Sequence, residues 1–288
     1  MTTAPAPVVL TISCPDRTGL VAGVTTYLAG SNHFIDETHQ FGDPETGRFF
    51  MRTVFHPAAG EPWDAKAFAR GFAAVAERFE CAWDARPLRD RTRAVVMVSK
   101  FDHCLVDLIY RVRTGWLPME IAAVISNHAT LKPIVEREGI PFIHQPVDAA
   151  RKPQAEAVLF STMERERAEL VILARYMQVL TPEACGRLAG HCINIHHSFL
   201  PGFKGANPYQ QAHTRGVKLI GATAHYVTED LDEGPIIDQT VDRVDHAVTV
   251  AQMVHVGQDL EALTLARAVK AHIERRVFVN GRKTVVLR

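Results

Sequence analysis

Between residues 94 and 195 the chain alternates short, uninterrupted apolar runs with longer amphipathic stretches, and few folds accept that pattern. The runs are Ala94–Val98, Ile121–Ser126, a short one near Phe142, Leu170–Leu173 and Cys192–Ile195. Each reads as a strand buried on both faces. Helices are predicted between them over about 104–114, 132–138 and 153–167, and Pro182 can open a further short one. Strand and helix in repetition predict a mostly parallel, doubly wound (Rossmann-like) α/β sheet, whose ligands bind beyond the carboxyl ends of the strands. Later the pattern changes. Residues 218–227 and 236–244 are β-rich, a long helix is expected over about 250–275, and Asn280-Gly281, flanked by Val277-Phe278-Val279 and Thr284-Val285-Val286, signals a hairpin.

The first ninety residues follow a different plan. A strand over 8–13 leads to a helix that Thr18 can cap, with Leu20, Val21, Val24, Tyr27 and Leu28 on one face. Strands over 34–41 and 49–56 flank a turn at 43–47. A helix over about 63–79 presents Phe68, Phe72, Val75 and Phe79, and a short strand near 81–86 closes the unit. The order β-α-β-β-α-β is the ferredoxin-like plan. The expected division is a first domain over 1–87, a linker over 88–92 and a second domain over 93–288, a length that suits two cores better than one.

Thirty-two basic residues balance thirty-two acidic ones, so nothing advertises a nucleic acid or an anionic membrane as partner. The five cysteines are odd in number, widely spaced and contain no CxxC pair, which argues against a disulfide framework or a structural zinc. Residues 1–7 lack the basic and apolar regions of a signal peptide, and no apolar run reaches membrane-spanning length. A cytoplasmic protein is expected.

Two polar clusters carry chemistry. The first, Asn194-Ile195-His196-His197-Ser198-Phe199-Leu200-Pro201, follows a buried strand, and strand alternation puts Asn194 and His196 on one face. An amide donor beside an imidazole suits the stabilisation of an oxyanion together with proton transfer. The second runs from His225 through the acidic loop Glu229-Asp230-Leu231-Asp232-Glu233 to Gly234-Pro235. Four acids in five positions ordinarily make a solvated turn, but this loop joins two strands and can cross the mouth of a cleft. Adjacent histidines without a carboxylate-rich ligand set argue against a shared metal ion.

Taken in order, Asn194-Ile195-His196, the Ser-x-Leu-Pro run after it, His225 and Leu231–Pro235 resemble the folate-dependent formyltransferase family over roughly residues 92–288. The resemblance implies a catalytic trio of Asn194, His196 and Asp232, with His225 lining the same cleft. It implies that Leu173, Met177, Gln178, Val179 and Leu180 form a slot for the pterin ring with Val227, Thr228 and Asp230. His197 and Ser198 would touch the substrate. It further implies 10-formyltetrahydrofolate as substrate, with no bound prosthetic group. Asp232, alone or through a histidine, would deprotonate a water, while Asn194 and His196 hold the oxyanion.

Ribonucleotide transferases of that family cradle a phosphate in a glycine-rich turn after the first strand. Here that turn reads Ser99-Lys100-Phe101-Asp102-His103-Cys104-Leu105, and no glycine occurs between Gly71 and Gly115. Without a phosphate cradle, water becomes the natural nucleophile. The turn, the His196-His197 pair and the N-terminal domain together resemble the hydrolytic branch of the family, which releases formate within one-carbon metabolism and supplies it for purine biosynthesis. Cys14-Pro15-Asp16-Arg17-Thr18-Gly19-Leu20-Val21 resembles the opening of an ACT domain. That implies either an amino-acid effector near Asp16, Arg17 and Gly19 or a plain pairing module, and a homo-oligomer, dimer or tetramer, in both cases. Two other readings stay open: a formyltransferase acting on an unphosphorylated amine or on a phosphate held by Lys100, and a non-enzymatic folate or amino-acid sensor.

Overall fold

The computed structural model describes residues 7–58, 62–148, 150–200 and 208–288. Pro201, which closes the first polar cluster, lies outside them. The chain divides into two compact units, one of residues 1–91 with 274–288 and the other of residues 92–273.

The first unit contains β1 (Val8–Pro15), α1 (Leu20–Gly30), β2 (His33–Asp43), β3 (Arg48–Pro57), α2 (Ala65–Phe79) and β4 (Ala82–Pro87). Its sheet has the antiparallel order β2-β3-β1-β4, as the ferredoxin-like pattern requires. Alternation along β1 turns Val8, Leu10, Ile12 and Cys14 into one core with Leu20, Val24 and Leu28 of α1 and Phe68, Phe72 and Phe79 of α2. Asp64 caps α2 by accepting the main-chain N–H groups of Lys66 and Ala67. Thr18 does not cap α1. Gly19 takes the N-cap position at φ 89°, in the left-handed region that glycine enters without penalty.

The carboxyl-terminal residues belong to this unit, which corrects the division expected from the sequence. Strands β12 (Val277–Asn280) and β13 (Lys283–Val286) form a hairpin. Asn280 Nδ2 donates to Asp43 Oδ2 at 2.6 Å, Arg52 donates to the Glu274 carbonyl at 2.8 Å, and the Phe50 and Phe278 rings meet at 5.5 Å. A hairpin pattern specifies a local shape. It does not say which sheet the hairpin will cover, so contiguity in sequence misassigned 274–288.

The second unit contains β5 (Thr92–Val98), α3 (His103–Arg113), β6 (Met119–Ser126), α4 (Lys132–Arg137), β7 (Phe142–His144), α5 (Lys152–Glu166), β8 (Leu170–Leu173), α6 (Pro182–Arg187), β9 (Cys192–His196), α7 (Pro208–Arg215), β10 (Leu219–Tyr226), β11 (Ile236–Arg243) and α8 (Val250–Ile273). The sheet order is β11-β10-β9-β8-β5-β6-β7. The strands from β9 to β7 pair in parallel, and β10 and β11 continue the sheet antiparallel. Strand order reverses at β5, whose neighbours are β6 on one side and β8 on the other, and a crevice opens at such a switch point. Helix α7 has no counterpart among the predicted elements. Among the described residues, no helix is long and apolar enough to cross a membrane.

Candidate active site

The antiparallel pairing of β9 with β10 sets Asn194 directly opposite His225. Asn194 Nδ2 lies 3.2 Å from His225 Nε2, and His225 Nδ1 lies 2.9 Å from the Tyr226 carbonyl. That carbonyl can only accept, so it selects the tautomer with the proton on Nδ1. Nε2 then accepts from the Asn194 amide, which leaves the second amide hydrogen of Asn194 free to donate. One amide hydrogen is thus spent on fixing the side chain and the other is aimed.

Asp232 joins them from the acidic loop. Its Oδ2 lies 3.2 Å from His196 Nδ1 and its Oδ1 lies 3.7 Å from His225 Nε2. Its backbone sits at φ 57°, left-handed for a residue with a side chain, a strain of the kind found at functional sites. Gly234 lets the loop return against β10: a Cβ there would stand 1.7 Å from the Tyr226 carbonyl oxygen. The Tyr226 N–H in turn donates to the Pro235 carbonyl at 3.0 Å. Burial opposes the charge on Asp232, but the hydrogen bond from His196 outweighs it and the carboxyl is held well below the ordinary range. The group is ionised at neutral pH. His196 is buried, and its Nε2 has no hydrogen-bond partner among the described residues.

These residues line a cavity of about 270 Å³. His197, Val227, Thr228 and Asp230 line it as well. So do Leu173, Met177, Gln178, Val179 and Leu180, in two different ways. Leu173 and Leu180 belong to the core between the sheet and its helices, whereas Met177 and Val179 are 53% and 52% exposed. Two large apolar side chains left in solvent at a cavity wall suit a flat heterocycle. Ser99 fixes this segment from the turn after β5, its hydroxyl accepting the Met177 N–H at 3.0 Å and donating to Asn127 Oδ1 at 2.7 Å. Ser198 departs from the expectation. It does not line the cavity; its carbonyl accepts the Thr223 hydroxyl at 2.9 Å, which anchors the chain beyond β9. In the first unit, Asp16 and Arg17 are exposed and the Arg17 guanidinium pairs with Glu80, while Gly19 borders a concavity between α1 and α2.

Sequence reasoning passed over Arg175, which also lines the cavity, and Glu261, which lies behind it. Glu261 is 1% exposed and accepts from His103 Nε2 at 2.8 Å and the Tyr209 hydroxyl at 3.1 Å. Arg175 Nε stands 3.3 Å from its Oε2. Burial raises this carboxyl, but His103 and Arg175 more than offset it and its ionised form prevails. An acid on the buried face of the long final helix was the available signal. His103, Cys104 and Glu261 place possible metal donors within 4.8 Å of one another. However, burial pushes the Cys104 thiol far up, and the guanidinium of Arg175 already matches the Glu261 charge. Burial, then the charges of Arg175 and His196, lower His197 to about 4, so its ring is neutral at neutral pH.

The chain matches the family described as Formyl transferase over residues 92–269. It is 48% identical over 282 residues to the formyltetrahydrofolate deformylase of Corynebacterium sp. (strain P-1), covering 97% of this chain and 98% of that one. The crystal structure of formyltetrahydrofolate deformylase from Burkholderia mallei is 53% identical, with a TM-score of 0.94 over 99% of this chain and 100% of that one. Glycinamide ribonucleotide transformylase 1 from Symbiobacterium toebii is 30% identical, with a TM-score of 0.64 over 69% of this chain and 95% of that one.

Proposed function

The chain belongs to the formyltetrahydrofolate deformylases within the formyl transferase family, and on that premise we propose that it hydrolyses 10-formyltetrahydrofolate to tetrahydrofolate and formate with Asn194, His196 and Asp232 as catalytic residues. One observation carries the reading. An ionised carboxylate contacts one nitrogen of an imidazole whose other nitrogen has no partner, in the cavity that also presents a free amide hydrogen. With Nδ1–H donated to Asp232, His196 Nε2 carries the lone pair. A water loses a proton to Nε2 as its oxygen bonds to the formyl carbon. The carbonyl electrons move to oxygen, where the Asn194 amide and the new imidazolium hold the charge. Asp232 stabilises that imidazolium and is a poor base itself, since its carboxyl is held so low. The imidazolium then protonates N10, the C–N bond breaks, the carbonyl re-forms, and the formic acid released ionises to formate.

Met177, Val179 and Gln178 take the pterin with Val227, Thr228 and Asp230, and His197 and His225 line the approach. No prosthetic group or metal enters this chemistry. The test is formate release by the purified protein from 10-formyltetrahydrofolate, with and without glycinamide ribonucleotide. Formate without an acceptor, lost in Asp232→Asn, supports the hydrolase. Formyl transfer that needs the acceptor refutes it.

The ferredoxin-like unit is read as an ACT-like module that assembles a homo-oligomer and takes an amino-acid effector near Asp16, Arg17 and Gly19. The exposed, glycine-broken turn between β1 and α1 supports this. Calorimetry with the standard amino acids tests it, and an absence of both binding and rate change refutes the effector. A cytoplasmic enzyme supplying formate to purine synthesis completes the reading.

A further inference from the structure

Of the methionines among the described residues, one differs from the rest in its surroundings. Met51, Met97, Met119 and Met253 are buried, and Met163 packs against the core of the second unit. Met177 is 53% exposed and stands on the wall of the cavity that holds Asn194, His196 and Asp232. Its main chain is held there. The Ser99 hydroxyl accepts the Met177 N–H at 3.0 Å, and Ser99 is itself buried and donates to Asn127 Oδ1 at 2.7 Å. Leu173 and Leu180 seat the two ends of the segment in the core. The fold thus fixes the backbone at Met177 while leaving its thioether in water. A thioether that solvent can reach takes an oxygen atom from a hydroperoxide, and the sulfoxide formed is polar where the thioether was apolar. Burial shields the other sulfur atoms from the same reaction. Val179, 52% exposed on the same wall, has no sulfur to oxidise, so the sensitivity of the wall resides in one atom.

We propose that Met177 is a site of reversible oxidative modification, and that its conversion to the sulfoxide by a hydroperoxide weakens the hold of the cavity wall on the pterin. This role rests on the reading of the cavity as a folate site. In the forward step a sulfur lone pair bonds to one oxygen of hydrogen peroxide, the O–O bond breaks, and the other oxygen leaves as water with both protons. Sulfur gives up two electrons and the peroxide gains them. In the reverse step two thiols supply the electrons and become a disulfide while the oxygen leaves as water, the reaction of the methionine sulfoxide reductases. Met177 touches no reacting atom in the hydrolysis, so the effect falls on KM and leaves kcat nearly unchanged. Covering the sulfoxide oxygen with a flat ring that offers it no donor should raise KM by about tenfold or more.

Hydrogen peroxide is the probe. The full-length protein and Met177→Leu, an apolar exchange that conserves volume, are treated with it, and catalase removes the excess. Peptide mass mapping locates the added oxygen, and formate release gives kcat and KM, each protein being compared with its own untreated sample. In the wild type, oxygen should enter at Met177 before any buried methionine, and KM should rise by about tenfold or more. Methionine sulfoxide reductases with dithiothreitol should restore KM, whereas dithiothreitol alone, which reverses disulfide and sulfenic acid formation, should not. In Met177→Leu the same treatment should leave KM where it was. A buried methionine oxidised ahead of Met177, an unchanged KM in protein carrying the Met177 sulfoxide, or an equal rise in Met177→Leu overturns the proposal. An untreated wild type that releases no formate refutes the hydrolase reading. Calorimetric titration of tetrahydrofolate into untreated and oxidised protein then decides the modification by the same loss of affinity.

Discussion

Replacing Gly234 by alanine tests the loop that carries Asp232. The added Cβ would stand 1.7 Å from the Tyr226 carbonyl oxygen and 3.2 Å from His225 Nδ1. Neither neighbour can move easily. The carbonyl is main chain of a central strand and the imidazole is buried. The loop must therefore retreat by about 1 Å or more to reach ordinary contact, which weakens the Tyr226–Pro235 hydrogen bond and carries Asp232 away from His196. Displacement on that scale costs about a hundredfold in turnover when catalytic groups must be aligned. Overpacking of this kind destabilises by about 1–3 kcal/mol. For a unit of this size, each kcal/mol lowers the melting temperature by about 2–4 °C. Formate release gives kcat and calorimetric melting gives the stability. A Gly234→Ala protein with near-wild-type kcat would show that the loop tolerates the methyl group and that Asp232 does not depend on this close approach.

Asn194→Ala removes the proposed oxyanion donor and should lower kcat about a hundredfold or more with little change in KM; steady-state formate release measures both. The Asp232 carboxyl is held below its ordinary value, so its contribution to stability is present above about pH 4, its unfolded range, and is lost as pH falls through the folded value. Urea unfolding of wild type and Asp232→Asn should therefore differ more at pH 7 than at pH 3, and an equal difference at both would refute the assignment. In the first unit, Asn280→Ala removes the 2.6 Å donor from Asp43, which is 4% exposed and keeps the Lys283 ammonium at 3.2 Å and the Glu45 N–H at 3.0 Å. A loss of about 1 kcal/mol in thermal unfolding is expected, the net worth of one hydrogen bond whose acceptor keeps other partners; an unchanged melting curve would show that this bond contributes nothing to holding the hairpin.

Much of this molecule was legible in the sequence because the relevant forces are local. Continuous apolar runs marked β5, β6, β8 and β9, and alternation along β9 put Asn194 and His196 on one face, because side-chain direction follows backbone period. The acidic loop was visible as a composition, and the proposal of Asp232 as its catalytic member came from resemblance to a family. The left-handed backbone of Asp232 and the role of Gly234 were not visible, since both depend on how closely the loop returns to β10. Tertiary structure alone decided three further points. It paired β10 antiparallel to β9, which brought His225 opposite Asn194 and fixed the amide. It laid the last hairpin on the first sheet, where Asp43 and Arg52 meet it. It gathered His103, Arg175 and Tyr209 around Glu261, residues up to 158 positions apart. In each case the interaction joins groups that no local period relates, and their partners are chosen by complementary shape and charge only once the chain has packed.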